Sequence, residues 1–367
     1  MRRLILLILP MLLFFSSVRG EETPTFYEAP KQIVITFTGD CTLGIDDRER
    51  GLDTSFNAYI EKNGMDYPFE KVRDIFLQDD LTVINLEGTF YNYAGNRTQN
   101  TYAFRGPTEY ADILTRAGIE ACSLGNNHIM DYDLPGLKST TETLENKGVA
   151  WFGVNEYINQ YYVFEKDGIR IGFVSMYSSD WWRNPAQLRI CYENLEKENC
   201  DLIIGCLHGG NEYFTRFDEG GGQEQLANKM IALGATIVVG NHPHTVQGIR
   251  VEDGCTTLWS LGNFVFGGNS RIKLNKLDEP SVACYLAQFT LSFDENNVYL
   301  GHQLNIIPCF VSSSTERNFY QPYPVAGADA EFVMRAINRD RTPKNLTLYP
   351  FVEGVGALQA FVPAPRR

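Results

Sequence analysis

Short apolar runs rich in valine, isoleucine and leucine recur along the chain, each closing on glycine, asparagine or histidine, with amphipathic stretches between them. Strands are predicted at "IVITFTG" (33–39), "LTVINLE" (81–87), "IEACSLGN" (119–126), "IRIGFVSM" (169–176), "LIIGCLHG" (202–209), "TIVVGNH" (236–242) and "TTLWSLGNF" (256–264). Helical spacing of apolar residues marks "YPFEKVRDIFLQ" (67–78), "TEYADILTRAG" (108–118), "LKSTTETLENKG" (137–148) and "QEQLANKMIALG" (223–234). Such alternation predicts an α/β domain with right-handed crossovers and a central sheet covered by helices. "SVACYLAQFTLSF" (281–293) and "VYLGHQLNIIPCF" (298–310), joined by the turn signal "DENN", predict an antiparallel pair at one edge. Beyond residue 311 the pattern thins to one helical piece, "AEFVMRAINR". One domain over 33–310 with a C-terminal extension, 311–367, packed on it is the simplest organisation.

The chain opens on "MRRLILLILPMLLFFSSVRG", where a basic start, a short apolar run and small residues fit a secretory signal over 1–20. A polar leader, 21–32, follows. The apolar run is short for a membrane span, and an uncleaved N-terminal anchor is the alternative. Secreted or cell-surface localisation follows from either. Cleavage after Gly20 removes three arginines and takes the formal charge from −13 to −16. So acidic a protein has no non-specific attraction to nucleic acid, and none is expected as a partner. To act on a polyanion it needs local positive charge, which bound metal supplies.

The eight cysteines include no C-x-x-C pair, which argues against a zinc ribbon or a thioredoxin-type site. Several (Cys122, Cys206, Cys284) lie in apolar runs, where buried thiols are as reasonable as bridges. Asn96 and Asn345 match the glycosylation sequon, which matters only in a eukaryotic secretory pathway.

The polar residues that close the strands gather into one chemical set: Asp40, Glu87, Asn126, Asn127, His128, His208, His242, His244 and Asn263. In parallel α/β sheets the carboxyl ends of strands meet at the site, and four of the five histidines occupy such ends. Carboxylate, amide oxygen and imidazole together suit one or two divalent ions of the manganese, zinc or iron type. His242 and His244 flank Pro243; in an extended segment their rings lie parallel, each serving a different ion. Glu87 is the natural bridge, and Gly39, Gly125 and Gly240 would let backbone approach the ions. No G-x-S-x-G elbow or phosphate-binding P-loop is present. "DEGGGQ" (218–223) suits a flexible lid, "MYSSDWWRN" (176–184) suits core or loop packing, and His302 suits a structural role.

The series "GDCTLG", "INLEGTF", "SLGNNHIMDYDLPGL", "CLHGGNEY", "VVGNHPHTVQGI" and "SLGNFVFG" resembles, in order, the motifs of the CapA family of poly-γ-glutamate capsule synthesis proteins. The resemblance runs over residues 33 to 310. It implies kinship with calcineurin-like metallophosphoesterases and their four-layer α/β/β/α sandwich. Residue by residue, it implies Asp40 and His244 on a first metal, Glu87 bridging, and Asn127, His208 and His242 on a second. His128 would be the acid facing the leaving group, oriented by Asp131. Thr42 stands where the superfamily's first motif carries histidine, which removes one nitrogen ligand from the first metal. The implied activity is a metal-dependent hydrolase acting on a phosphoester or γ-glutamyl amide of an anionic cell-envelope polymer. The alternative is a non-catalytic factor in building, exporting or anchoring that polymer.

Overall fold

Apolar side chains alternate between two covered faces along each central strand, and this dictates the layering. The computed structural model describes residues 26–154, 159–266, 280–312, 317–340 and 357–366. The N-terminal signal, residues 21–25 of the leader and the Asn345 sequon lie outside the described residues. The strands β1 (Lys31–Cys41), β2 (Leu81–Leu86), β3 (Ala121–Ser123), β4 (Ala150–Val154), β5 (Ile169–Tyr177), β6 (Leu202–His208) and β7 (Ile237–Asn241) pair in parallel, each with its neighbour. β8 (Ile249–Glu252) forms a hairpin with β9 (Cys255–Leu258), which lies parallel to β7. Finally β10 (Ala283–Phe293) returns antiparallel to the far side of β1, and β11 (Tyr299–Phe310) pairs with it. The order is therefore β8-β9-β7-β6-β5-β4-β3-β2-β1-β10-β11.

The sheet folds over so that its two halves face each other. Phe37 on β1 meets Phe173 on β5 with ring centroids 6.5 Å apart. Thr256 on β9 hydrogen-bonds His302 on β11 at 2.7 Å. Phe173 faces this inner layer, while its neighbours Val174 and Met176 face the other way. There they meet the helices Pro185–Lys197 and Gly222–Leu233, where Leu188, Cys191, Tyr192, Leu195, Leu226, Ala227 and Met230 complete a second cluster.

In chain order the longer helices are α1 (Phe56–Asn63), α2 (Ala111–Ala117), α3 (Asp133–Asn146), α4 (Pro185–Lys197), α5 (Gly222–Leu233) and α6 (Gly327–Arg339). Ile113 and Leu114 of α2, and Val333, Met334 and Ile337 of α6, join the cluster of β1, β10 and β11. Helix, sheet, sheet, helix is the four-layer α/β/β/α arrangement. Truncating Phe173 to alanine at the inner seam would cost about 3–5 kcal/mol.

Several elements differ from expectation for identifiable reasons. The helix expected over 67–78 is a 3-10 turn, Tyr67–Phe69, and one helical turn, Arg73–Phe76, because Val72 between them leaves helical φ, ψ. Helices α1 and α4 and the hairpin arm Tyr162–Lys166 were not anticipated. "MYSSDWWRN" is largely the short helix Ser178–Arg183. "DEGGGQ" is no free lid: Gly220 N–H donates to Glu224 Oε2 (2.8 Å) and Asp218 N–H to Gln223 Oε1 (2.9 Å), which ties it as the entry turn of α5. Past α6, Ala357–Leu358 and Val362–Pro363 pair with β11, so the C-terminal residues extend the sheet. All eight cysteines are free thiols.

Candidate metal centre

Each parallel strand stops where its polar residues begin, and these ends converge. The turn after β9 locks onto the end of β1: Asp40 N–H donates to Gly262 O (3.0 Å) and Phe264 N–H to Asp40 O (2.9 Å). A Cβ on Gly39 would lie 2.0 Å from Gly262 O, and one on Gly240 2.1 Å from Trp259 O. These glycines, like Gly125 against Ser175, make room for neighbouring backbone, not for an ion as the sequence suggested.

Asp40 and Glu87 are fully buried. Asp40 Oδ1 accepts from Asn85 Nδ2 at 2.8 Å, and its Oδ2 lies 3.2 Å from His244 Nδ1. Among the described residues Glu87 Oε1 has no hydrogen-bond partner. Three ring nitrogens surround that oxygen just beyond hydrogen-bond length: His128 Nε2 at 3.7 Å, His208 Nε2 at 3.8 Å and His244 Nε2 at 3.8 Å. His208 Nε2 also faces Asn127 Oδ1 at 2.7 Å and His242 Nδ1 at 3.1 Å. The structure thus brings together Asp40, Glu87, Asn127, His208, His242 and His244. Ligand atoms lie within 4.8 Å of one another in the groups Glu87–His208–His242, Asp40–Glu87–His244 and Glu212–His242–His244.

The turn carrying the histidine pair is not extended. His242 has φ 102° and His244 φ 57°, both in the left-handed half of the map, and their rings are inclined by 52° at 6.0 Å. The expected parallel rings are therefore absent. β7 ends at Asn241, and the chain turns sharply to bring both imidazoles toward Glu87. Strain of about 1–3 kcal/mol at each such residue is typical of sites that the surrounding structure holds in place.

The electrostatics of the donor set suit a cation. Burial, then Asp40, raises the Glu87 carboxyl well above its usual range. Burial, then the neighbouring His242, His244 and His128, pushes His208 well down; burial and His244 take His242 to about 3. Burial works to raise Asp40, but the hydrogen bond and charge of His244 outweigh it and hold the carboxyl low. Among the described residues no lysine or arginine pairs with Asp40 or Glu87. Two buried carboxylates among imidazoles that resist protonation need positive charge from elsewhere. A divalent ion fits these donors, and the orphaned Glu87 oxygen is the atom that it would satisfy.

Beside this centre, His128 Nδ1 lies 2.7 Å from Asp131 Oδ2. Asp131 is fixed in turn by the Phe104 N–H (2.6 Å) and Asn100 Nδ2 (3.0 Å). Asn126 braces the loop, accepting from His128 N–H at 3.0 Å and donating to Leu86 O at 2.8 Å. Thr42 is buried with its hydroxyl 3.4 Å from Gly44 O.

Sequence reasoning overlooked two residues, Asn85 and Glu212, while Asn263 was already in the polar set that closes the strands. Asn85 touches Asp40, Glu87 and His208 from within "INLEG", two positions before Glu87. Asn263 Oδ1 sits 3.0 Å from His244 Nδ1. Glu212, in "HGGNEY", reaches His242 and His244 from an exposed loop. His302 stands apart, buried between the Thr256 and Tyr299 hydroxyls.

The chain is similar to the capsule biosynthesis protein CapA of Bacillus anthracis, 26% identical over 267 residues, which cover 66% of this chain and 62% of that one. It is also similar to the PGA biosynthesis protein CapA of Bacillus subtilis, 28% identical over 236 residues, 58% of this chain and 61% of that one. The chain thus spans about three fifths of the length of these curated relatives. A solved 5'-nucleotidase of Candida albicans shares 13% identity, covering 87% of this chain and 60% of that one at a TM-score of 0.38. So slight a likeness carries no weight for fold or function. The family described as bacterial capsule synthesis protein PGA_cap matches residues 34–268, a span from within β1 past the turn after β9 that holds every residue of the centre, and the chain belongs to that family.

Proposed function

We propose that this protein is an exported, metal-dependent hydrolase acting on an anionic cell-envelope or capsule polymer, at a phosphoester or a γ-glutamyl amide. Asp40, Glu87 and His244 would hold one divalent ion, and Glu87, Asn127, His208 and His242 a second. When bound, such ions supply Lewis-acid charge at the scissile group and ease deprotonation of the attacking water. The observation that carries hydrolysis is the His128–Asp131 pair. With Asp131 accepting from Nδ1–H, the His128 Nε2 proton faces the centre and can pass to the leaving oxygen or nitrogen as its bond to phosphorus or carbon breaks. Asp131 keeps the ring oriented as it passes from imidazolium to neutral Nδ1–H imidazole, and solvent water reprotonates Nε2 afterwards.

The second reading is a non-catalytic factor that holds polymer carboxylates through metal. It is favoured by relatives named for biosynthesis. Metal-loaded protein should be assayed against phosphoesters and γ-glutamyl polymers. Turnover abolished in Glu87→Ala and lowered about 10²–10⁴-fold in His128→Ala is the expected result. Turnover undiminished in His128→Ala rejects the acid role, and polymer binding without turnover in the wild type selects the second reading.

A further inference from the structure

Glu212 lies on the open side of the centre, in the loop between β6 and α5, and it is exposed. Its carboxylate, His242 and His244 bring ligand atoms within 4.8 Å of one another. Among the described residues no cation and no hydrogen-bond donor takes up that carboxylate. Exposed acids are common, so proximity alone says little. The loop, however, is stapled over the histidine turn along its length. Gly209 N–H donates to Asn241 O (3.1 Å) and Tyr213 N–H to Pro243 O (2.7 Å). Thr245 Oγ1 and Gln247 Nε2 both donate to Phe214 O at 2.8 Å, and Gln247 Nε2 also reaches Arg216 O at 2.9 Å. Tyr213, next to Glu212, is held at φ 64°, opposite two histidines that are themselves at positive φ. Positive-φ backbone in both the loop and the histidine turn, with the Glu87 oxygen that has no hydrogen-bond partner among the described residues lying 3.8 Å from His244 Nε2, is the pattern of a built site.

We infer that Glu212 is a metal ligand on the solvent side of the centre, a carboxylate facing His242 and His244 across from the buried Glu87. It would supply a donor to a site where Thr42 stands in place of histidine. This rests on the metal-centre reading above. Its chemical consequence is a first site richer in oxygen than a histidine-bearing motif would make it, favouring manganese over zinc.

The test is calorimetric titration of chelator-treated full chain with Mn²⁺ and, separately, Zn²⁺, for wild type, Glu212→Gln and Glu212→His. Two Mn²⁺ sites in the wild type, one of them weakened about tenfold or more in Glu212→Gln, is the expected result. Glu212→His should restore that site with a preference moved toward Zn²⁺, a signature that a merely structural role does not produce. A two-site Mn²⁺ isotherm unchanged in Glu212→Gln overturns the assignment while leaving the metal centre intact. Equal loss of both sites with a lowered melting temperature in chelator also overturns it, as a folding defect. A wild type that binds neither metal defeats the metal-centre reading itself, and this inference with it.

Discussion

His302 and the trio His208, His242 and His244 are all buried, and all belong to the same folded sheet, yet they meet opposite surroundings. His302 faces β9 near its start, with Thr256 Oγ1 at 2.7 Å from Nε2 and Tyr299 OH at 2.6 Å from Nδ1, so both ring nitrogens are satisfied by neutral hydroxyls. The trio sits at the far, carboxyl ends of the strands, where rings face one another, as in the 3.1 Å approach of His242 Nδ1 to His208 Nε2. Beside them Glu87 Oε1 accepts no hydrogen bond from the described residues. Burial depresses the pKa in both places, to about 3 for His302 and for His242 alike, so the shift does not separate them. What separates them is saturation: a structural histidine closes its own hydrogen bonds, whereas the trio aims its lone pairs at a shared point.

The largest effect expected from breaking this contrast is in metal content. Glu87 belongs to two of the three ligand groups, so Glu87→Ala should lose bound Mn²⁺ altogether, and His242→Ala should lose most of it. His302→Gln should retain the wild-type amount. Elemental analysis of protein purified without chelator reads this directly. Metal lost equally from His302→Gln would erase the distinction.

Next in size is the acid response of the metal-free protein. His302 is neutral when folded, with a pKa near 3, and takes a proton near 6.5 when unfolded. Below 6.5 the unfolded state binds more protons, so stability is full above that pH and falls as pH drops toward 3. By pH 4 the share of His302 is about 3 kcal/mol. In urea unfolding across this range, His302→Gln should flatten the acid limb by about that amount. His242 acts with the same sign, but there Mn²⁺ should add stability at pH 7 and none at pH 4, where protons displace it. Mn²⁺ that stabilises equally at both pH values would contradict ligation by the histidines.

Much of this contrast was legible in the sequence, because period-two strands ending in polar clusters expose their own carboxyl ends: "LIIGCLHG" gave both β6 and His208. His302 was separable by its place inside a run and not at its end. Other features were written but overlooked. Leu188, Cys191, Tyr192 and Leu195 space α4 plainly behind Pro185, and Asp-Gly at 167–168 and 253–254 marks two hairpins whose turns have positive φ. Glu212 was not legible, since only hydrogen bonds between two loops distant in sequence bring it to His242. Nor was the positive φ of His242, which depends on what the turn is packed against and not on the His-Pro-His letters.

Smaller effects should come from the residues that orient the ligands. Asn85 donates to Asp40, and Asn263 lies against His244 Nδ1, opposite the nitrogen that faces Glu87. Asn85→Ala and Asn263→Ala should each weaken Mn²⁺ binding about 10–100-fold, without change in the melting temperature of the metal-free protein. A melting temperature that falls while affinity holds would move both asparagines to the structural side of the comparison.

The smallest effect tests the saturated histidine. Tyr299→Phe removes the hydroxyl at His302 Nδ1 and leaves the ring in place. One buried nitrogen then lacks a partner, at a cost of about 1–3 kcal/mol in urea unfolding at pH 7. Mn²⁺ affinity should be unchanged, because Tyr299 lies on β11 and touches none of the ligands. The pair of readouts matters more than either alone. Stability down with metal binding intact is the mirror image of the outcome expected for Asn85→Ala, and together they show that the same residue type serves two ends of one sheet by different means. A loss of metal in Tyr299→Phe would mean that the two ends are coupled through β9, the strand that runs from Thr256 toward the turn at Asn263.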